Sequence, residues 1–141
     1  MPSPLATPDK NTAPICLIVE DSEFDQQMMK RVIARSHRDL RVEVVSTLRS
    51  ARIALKRGSV SLILLDNNLP DGKGANFALE LAAHDALRSI PVIMVSDWPS
   101  PFMWEKAASA GVLYVVNKSE FGARYVHAGL QAHHQRRMQM N

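Results

Sequence analysis

Four short segments carry a chemically capable side chain at or just beyond the end of an apolar run: Glu20-Asp21 after ICLIV, Asp66 after SLILL, Ser96 after PVIMV, and Lys118 just past VLYVV. If those runs lie side by side as strands, three carboxylates, a hydroxyl and an ammonium meet at one edge. Carboxylates gathered away from water repel one another at high cost, and a hard cation removes that cost. Mg2+ takes oxygen ligands, keeps several waters, and commonly uses one or two carboxylates plus phosphate oxygen. Lys118 then supplies a point charge and Ser96 a hydroxyl donor. A carboxylate nucleophile, a metal site and two groups for phosphoryl oxygens are what aspartyl phosphorylation requires. Each residue alone also has a plainer reading. Glu20-Asp21 suits a helix N-terminus, where the macrodipole favours acids. Asp66 could open an Asx turn, Ser96 could cap a helix, and an exposed cation is the usual fate of a lysine.

The convergence depends on the elements that carry these residues. Residues 1–13 hold three prolines among small polar residues and read as a flexible tail. The runs at 15–19, 42–46, 61–65, 90–95 and 112–116 read as strands. Between them, Phe24, Met28 and Val32 stripe a first helix over 23–36, and Leu48, Ala51 and Leu55 a second that Gly58 stops. Phe77 and Leu81 mark a third. Pro99 and Pro101 introduce a fourth over 102–110, which ends at Gly111. Phe121, Tyr125 and Ala128 stripe the last, with Ser119-Glu120 as its start signal. The globular domain spans 14–137 on this reading, with a short tail at 138–141. Strands that are nearly all apolar and alternate with helices imply a parallel sheet buried on both faces. The expected fold is α/β, a flavodoxin-like doubly wound sheet of five parallel strands in the order 2-1-3-4-5, with helices on both faces. In such sheets ligands bind at the carboxyl ends of the strands, which is where the four segments fall.

Composition narrows the classes. The chain has 141 residues, 46% hydrophobic and 22% charged, which suits one globular domain. No apolar run reaches membrane-span length, and no basic stretch precedes an apolar core as in a secretory signal. Cys16 is the only cysteine, which fits a reducing cytosol and a cytoplasmic protein, and its setting in ICLIV suggests a buried strand residue. The net charge is +3, but the basic residues are scattered apart from HHQRR at 133–137. They belong to no nucleic-acid module, so neither a nucleic acid nor a membrane is an expected partner. His133 and His134, adjacent on a helix, point about 100° apart, which disfavours a shared metal site. No GxGxxG or P-loop pattern supports a nucleotide-binding enzyme.

The segments LIVEDSE, LLDNNLPDGKG, PVIMVS and VVNKSEF resemble the four motifs of response-regulator receiver domains, the CheY-like family, and the spacing of Asp21, Asp66, Ser96 and Lys118 matches. The resemblance covers 15–136. It implies a stand-alone two-component response regulator in which Asp66 takes a phosphoryl group from a phosphohistidine on a sensor histidine kinase. Asp21 would ligate Mg2+ directly, Glu20 through a bound water, and the backbone carbonyl of Asn68 would complete the protein's share. Lys118 would pair with a phosphoryl oxygen, and with Asp66 when the site is empty. Ser96 would donate to the phosphoryl group and draw its loop inward. The chain ends near the expected end of the fifth helix, so output is expected through protein contact. That contact would be with a downstream target, or with a histidine phosphotransfer protein in a phosphorelay. The face of helix 4, strand 5 and helix 5 is the family's usual contact surface, also for homodimers.

The chain departs from the family at three places. Receivers commonly carry Phe or Tyr three residues before the lysine; here that position is Val115, and the tyrosine is one place earlier at Tyr114. Neighbouring strand residues face opposite sides, so transmission through the Ser96 loop and the strand-5 surface, without a ring flip, is expected. The residue after the lysine is Ser119 where proline is common. Asp97 follows Ser96 where the family has a small residue, adding a carboxylate near an incoming phosphoryl group. Trp98, two residues beyond Ser96, and Asn68 are expected to affect the hydrolysing water and hence the lifetime of the phospho-form; loop packing is the alternative role for Trp98. Of Phe102, Met103 and Trp104, which cannot all face one core, at least one is expected on a partner surface. The competing reading is a pseudo-receiver, folded alike but binding partners independently of phosphorylation.

Overall fold

Strands that are almost wholly apolar bury both faces, and the chain builds its centre from them. The structure, a computed structural model, describes residues 13–139. β1 (Ile15–Val19) is followed by α1 (Glu23–Ser36), β2 (Arg41–Val45), α2 (Leu48–Lys56) and β3 (Val60–Leu65). After a two-residue hairpin, Asn68–Leu69 against Gly72–Lys73, come α3 (Gly74–Ala82), β4 (Val92–Ser96), α4 (Pro101–Ser109), β5 (Tyr114–Asn117) and α5 (Ala123–Gln139). The five long strands form one parallel sheet in the order β2-β1-β3-β4-β5, the doubly wound flavodoxin-like arrangement expected from the alternation.

Alternation along each strand divides the core in two. Leu17, Val19, Ile63, Leu65 and Met94 point to the side covered by α2, α3 and α4 and meet Leu48, Leu55, Phe77, Leu81 and Met103. Cys16, Ile18, Leu62, Leu64, Ile93 and Val95 point to the other side and meet Met29 and Ile33 of α1 and Val126 of α5. Each fully buried side chain of this size contributes about 1.5–3 kcal/mol. Cys16 is one of them, fully buried as expected, and burial pushes its thiol pKa far up.

The helix stripes differ in detail from the sequence reading. In α1 the buried positions are Met29 and Ile33, with Met28 and Val32 only partly covered, and Phe24 in the first turn is 82% exposed. The period was right and the phase one residue early, because Phe24 precedes the part of α1 that lies over the sheet. In α5 the buried face is Val126 and Gly129, with Tyr125 partly covered. Phe121, also buried, belongs to the segment before the helix. A Cβ at Gly129 would sit 2.5 Å from Leu62 Cδ1, so glycine lets α5 lie close on β3. Ser119-Glu120 does not start α5; Lys118–Glu120 forms a 3₁₀ turn capped by Asn117, and α5 begins at Ala123. The expected N-terminal tail lies, but for its last residue, outside the described residues. At the other end α5 continues through Gln139, past the expected domain end at 137.

Asp71, at the tip of the hairpin, closes the sequence-distant contact that ties this loop to α2. Its Oδ1 and Oδ2 accept from the backbone N–H groups of Leu48 and Arg49 at 2.8 and 3.0 Å, filling orphan donors of the helix start. Those two hydrogen bonds hold the Asp71 carboxyl below its usual range. A depressed folded pKa stabilises above the unfolded value of about 3.9 and loses that effect as pH falls through the folded value. Asp71→Ala is therefore expected to be less stable than wild type at neutral pH, with the difference shrinking under acid. Urea unfolding midpoints measured from pH 7 downwards check it; a pH-independent gap would assign the loss to packing instead.

Candidate functional site

Parallel pairing brings the strand ends to one edge. Val19 is in register with Leu65, and Ser96 with Asn117. The backbone N–H of Asp66 donates to Val19 O at 3.0 Å and that of Glu20 to Val45 O at 3.0 Å. The first residue past β1 and the first past β3 are thereby fixed side by side. Carboxylate oxygens of Glu20, Asp21 and Asp66 lie within 4.8 Å of one another, with Glu20 and Asp66 buried and Asp21 open to solvent.

Lys118 closes the cluster from β5. Its Nζ stands 2.7 Å from Asp25 Oδ2, 2.8 Å from Glu20 Oε1, 3.7 Å from Asp66 Oδ1 and 4.0 Å from Asp97 Oδ2. The expected Lys118–Asp66 pair is thus the looser contact, beyond hydrogen-bond length, and the shortest is to Asp25. Glu20 also accepts at Oε2 from the Ser22 N–H at 3.1 Å. Its Oε1 lies near the ammonium but out of line for a hydrogen bond, the one buried side-chain oxygen among the described residues left without such a partner. Burial, reinforced by the Asp66 charge, raises the Glu20 carboxyl well above the ordinary carboxylate range. Burial also raises the Asp66 carboxyl, with Asp21 adding repulsion and Lys118 opposing both. For Lys118, burial disfavours the charge, but Asp25, Glu20 and Asp66 together outweigh it and raise its pKa.

An all-oxygen donor set with two carboxyls raised by burial fits a hard divalent cation. The fit rests on Glu20, Asp21 and Asp66. Asn68 lies in the hairpin two residues beyond Asp66, exposed, its side-chain oxygen accepting from Lys73 Nζ at 2.7 Å. Ser96 is buried beside the cluster, and its hydroxyl has only a long 3.4 Å contact to the Asp97 carbonyl. Asp97 does not turn away: it joins the ring of acids around Lys118. Trp98 is 89% exposed with φ +49, a left-handed backbone that costs a non-glycine residue roughly 1–2 kcal/mol. With Asn67, Asn68, Ser96 and Phe102 it lines an open groove beside the acids. Tyr114 faces α5, its ring edge-on to Tyr125 at 5.4 Å, while Val115 packs in the cluster that includes Met103 of α4.

Three supporting residues escaped the sequence reading. Asp25 sits in the first turn of α1, four residues past Asp21; an acid there reads as a dipole complement, and only the β5 contact shows its second use. Asn67 caps α3, its Oδ1 accepting from Ala75 N–H at 3.0 Å. Gly74 donates its N–H to Asn67 O at 2.8 Å.

The family model for the response regulator receiver domain matches residues 16–128. A search of curated proteins finds no match. Among solved structures, the chain is similar to a CheY-like response regulator receiver domain protein from Methanospirillum hungatei, with 20% identity, TM-score 0.74, and 89% of this chain and 98% of that one covered. It is also similar to the phosphorylated cyanobacterial phytochrome response regulator RcpA, with 22% identity, TM-score 0.70, and 84% and 89% covered. The Mn2+-bound form of response regulator Rcp1 matches at 22% identity and TM-score 0.70, with 84% and 90% covered.

Gly74 is the backbone constraint behind this geometry. A Cβ there would lie 2.0 Å from the Asp66 carbonyl oxygen and 2.9 Å from its carbon, so only glycine lets α3 begin against the end of β3. Gly74→Ala is expected to cost at least about 2 kcal/mol by forcing the backbone apart and to displace Asp66. Chemical denaturation gives the first effect. A wild-type unfolding midpoint would show that the approach is not constrained.

Proposed function

The chain belongs to the response regulator receiver domain family, and we propose that it is a working phosphorylation switch with Asp66 as its phosphoacceptor and Mg2+ as its cofactor. The observation that carries this reading is the buried Asp66 carboxylate, within 4.8 Å of Glu20 and Asp21 and under the Lys118 ammonium. Bound Mg2+ would be held by Asp21, Asp66 and the Asn68 carbonyl, with Glu20 acting through water, and would neutralise charge on the phosphoryl oxygens. An Asp66 oxygen attacks the phosphorus of a phosphohistidine. The phosphorus–oxygen bond forms as the phosphorus–nitrogen bond breaks, and the departing imidazole keeps the electron pair and is reprotonated by solvent. Lys118 and the Ser96 hydroxyl then receive phosphoryl oxygens, so this chain's part is positioning and charge stabilisation.

The donor on this reading is a sensor histidine kinase or a histidine phosphotransfer protein in the cytoplasm, and output is contact with a downstream protein or onward relay. The surface of α4, β5 and α5 carries Phe102 (76% exposed), Trp104 (50%) and Tyr114 (44%), which supports a protein-contact face, including contact with a second copy. Residues 14–137 constitute the switch domain. The second reading, a pseudo-receiver that binds without phosphorylation, is favoured by one feature: four carboxylates share a single lysine.

Incubation with acetyl phosphate and Mg2+ separates the two. Wild type is expected to gain one phosphoryl group by intact mass and to change Trp fluorescence, with neither effect in Asp66→Asn or with Mg2+ chelated. An unmodified wild type under every phosphodonor tried favours the pseudo-receiver. In the phosphorylated sample, Trp98→Ala and Asn68→Ala are expected to change the dephosphorylation rate severalfold through water access, and Tyr114 is expected to stay exposed. Unchanged rates would dismiss the modulating roles, and burial of Tyr114 in a beryllofluoride complex would refute transmission without a ring movement.

A further inference from the structure

The ammonium that should serve the phosphoryl group is already engaged. Lys118 Nζ donates to Asp25 Oδ2 at 2.7 Å, a charge-assisted hydrogen bond at the short end of its range. Both partners are largely covered, their side chains 12% and 18% exposed, so solvent screens the pair little. The contact joins residues 93 positions apart in the chain, one in the first turn of α1 and the other just past β5. Asp25 takes no part in the three-carboxylate cluster, and the cap at this helix start is supplied by Ser22, whose hydroxyl accepts from the Asp25 N–H at 3.3 Å. Nothing in the local structure of α1 therefore requires the Asp25 carboxylate to face Lys118.

We propose that Asp25 is a positioning residue that holds Lys118 in reserve and competes with the incoming phosphoryl group for it, so that it restrains phosphorylation of Asp66. This rests on the phosphoacceptor reading above. In transfer from acetyl phosphate, an Asp66 oxygen–phosphorus bond forms while the bond from phosphorus to the acetate oxygen breaks, and acetate leaves with the electron pair. Throughout, negative charge sits on the three equatorial oxygens, and the protein lowers the barrier by aiming positive charge at them. Asp25 opposes that aim in two ways. It occupies one of the three ammonium donors, and its charge offsets the ammonium field over the few ångströms to Asp66, where Nζ stands at 3.7 Å. Glu20, at 2.8 Å, also draws on the ammonium but belongs to the cation cluster. Asp97, at 4.0 Å and more than half exposed, draws on it weakly. Asp25 is the near, covered acid with no other assignment.

The test compares wild type, Asp25→Asn, Asp25→Glu and Glu23→Gln, the last removing a charge from the same helix turn at an exposed residue. Phosphorylation by acetyl phosphate at fixed Mg2+ is followed by intact mass over a range of donor concentrations. Asp25→Asn is expected to raise the rate about tenfold, the scale of one charge-assisted hydrogen bond. Asp25→Glu, which can still reach the ammonium, should stay near wild type, and Glu23→Gln should match it. The Lys118 ammonium resonance, sharpened in wild type by slow exchange, should broaden in Asp25→Asn and move in wild type on adding beryllofluoride. A folded Asp25→Asn that reacts at or below the wild-type rate overturns the restraint, as does an equal gain in Glu23→Gln, which would make the effect one of general charge. If wild type and all variants stay unmodified while the Lys118 resonance still responds to Asp25→Asn, the phosphoacceptor reading fails and the restraint with it, although the pair itself is real. A wild type that reacts while Asp25→Asn does not accelerate refutes the restraint alone.

Discussion

The structure turns on the burial of carboxylates against a single ammonium. Glu20 and Asp66 lie at the ends of the two central strands, where parallel pairing leaves them no freedom to separate. Burial alone would favour their neutral forms. Lys118 answers part of the charge, but it is shared with Asp25 and Asp97, so the cluster with its one lysine carries more acid than base. Such an imbalance is stable in two ways: the acids hold protons, or a divalent ion enters. Fold and site are therefore one problem, since the sheet that makes the core also forces the acids together, and a bound cation would resolve what the sheet imposes.

The backbone around Asp66 shows how closely the fold is fitted to this purpose. Asp71 fixes the hairpin to α2, Asn67 caps α3, and Gly74 allows that helix to start against the Asp66 carbonyl. Asp71, Asn67 and Gly74 thus hold the end of β3, and the Asn67 backbone also hydrogen-bonds the Asp66 carboxylate. Loops are usually where precision is lost, and here the loop is tied to the starts of two helices, so Asp66 sits on a rigid platform.

Much of this was legible in the sequence. Nearly all-apolar runs at 15–19 and 61–65 pointed to buried parallel strands, and the order 2-1-3-4-5 came from the five-stranded doubly wound class to which the βα alternation belongs. Glu20, Asp21, Asp66, Ser96 and Lys118 were visible because each stands at or just past a strand end. Asp25 was not, because its partner is 93 residues away in the chain and an acid in a first helical turn already has a sufficient local explanation. Gly74 was hidden for a like reason, being one glycine in a loop dense in turn formers whose special closeness to Asp66 exists only in three dimensions. The phase of α1 failed at Phe24, since periodicity gives the width of an apolar stripe but not where along the helix the sheet ends.

The register of β5 limits what a phosphorylation switch built on this site could move. Tyr114 and Val116 share one face and Val115 the other; Tyr114 rests on Tyr125 of α5, and Val115 packs with the α4 side of the core. A ring on the Tyr114 face cannot follow a loop that moves on the α4 face without breaking the alternation. The loop itself is stiff, because Pro99 and Pro101 fix its φ angles and Ser100 caps α4 through Met103 N–H. What remains free is the stretch from Ser96 to Trp98, with a loosely bonded hydroxyl at one end and a strained, solvent-facing indole at the other. A shift of Ser96 toward Asp66 would therefore be expressed first at Trp98 and Phe102, on the surface beside the acids, rather than through a ring carried across the sheet.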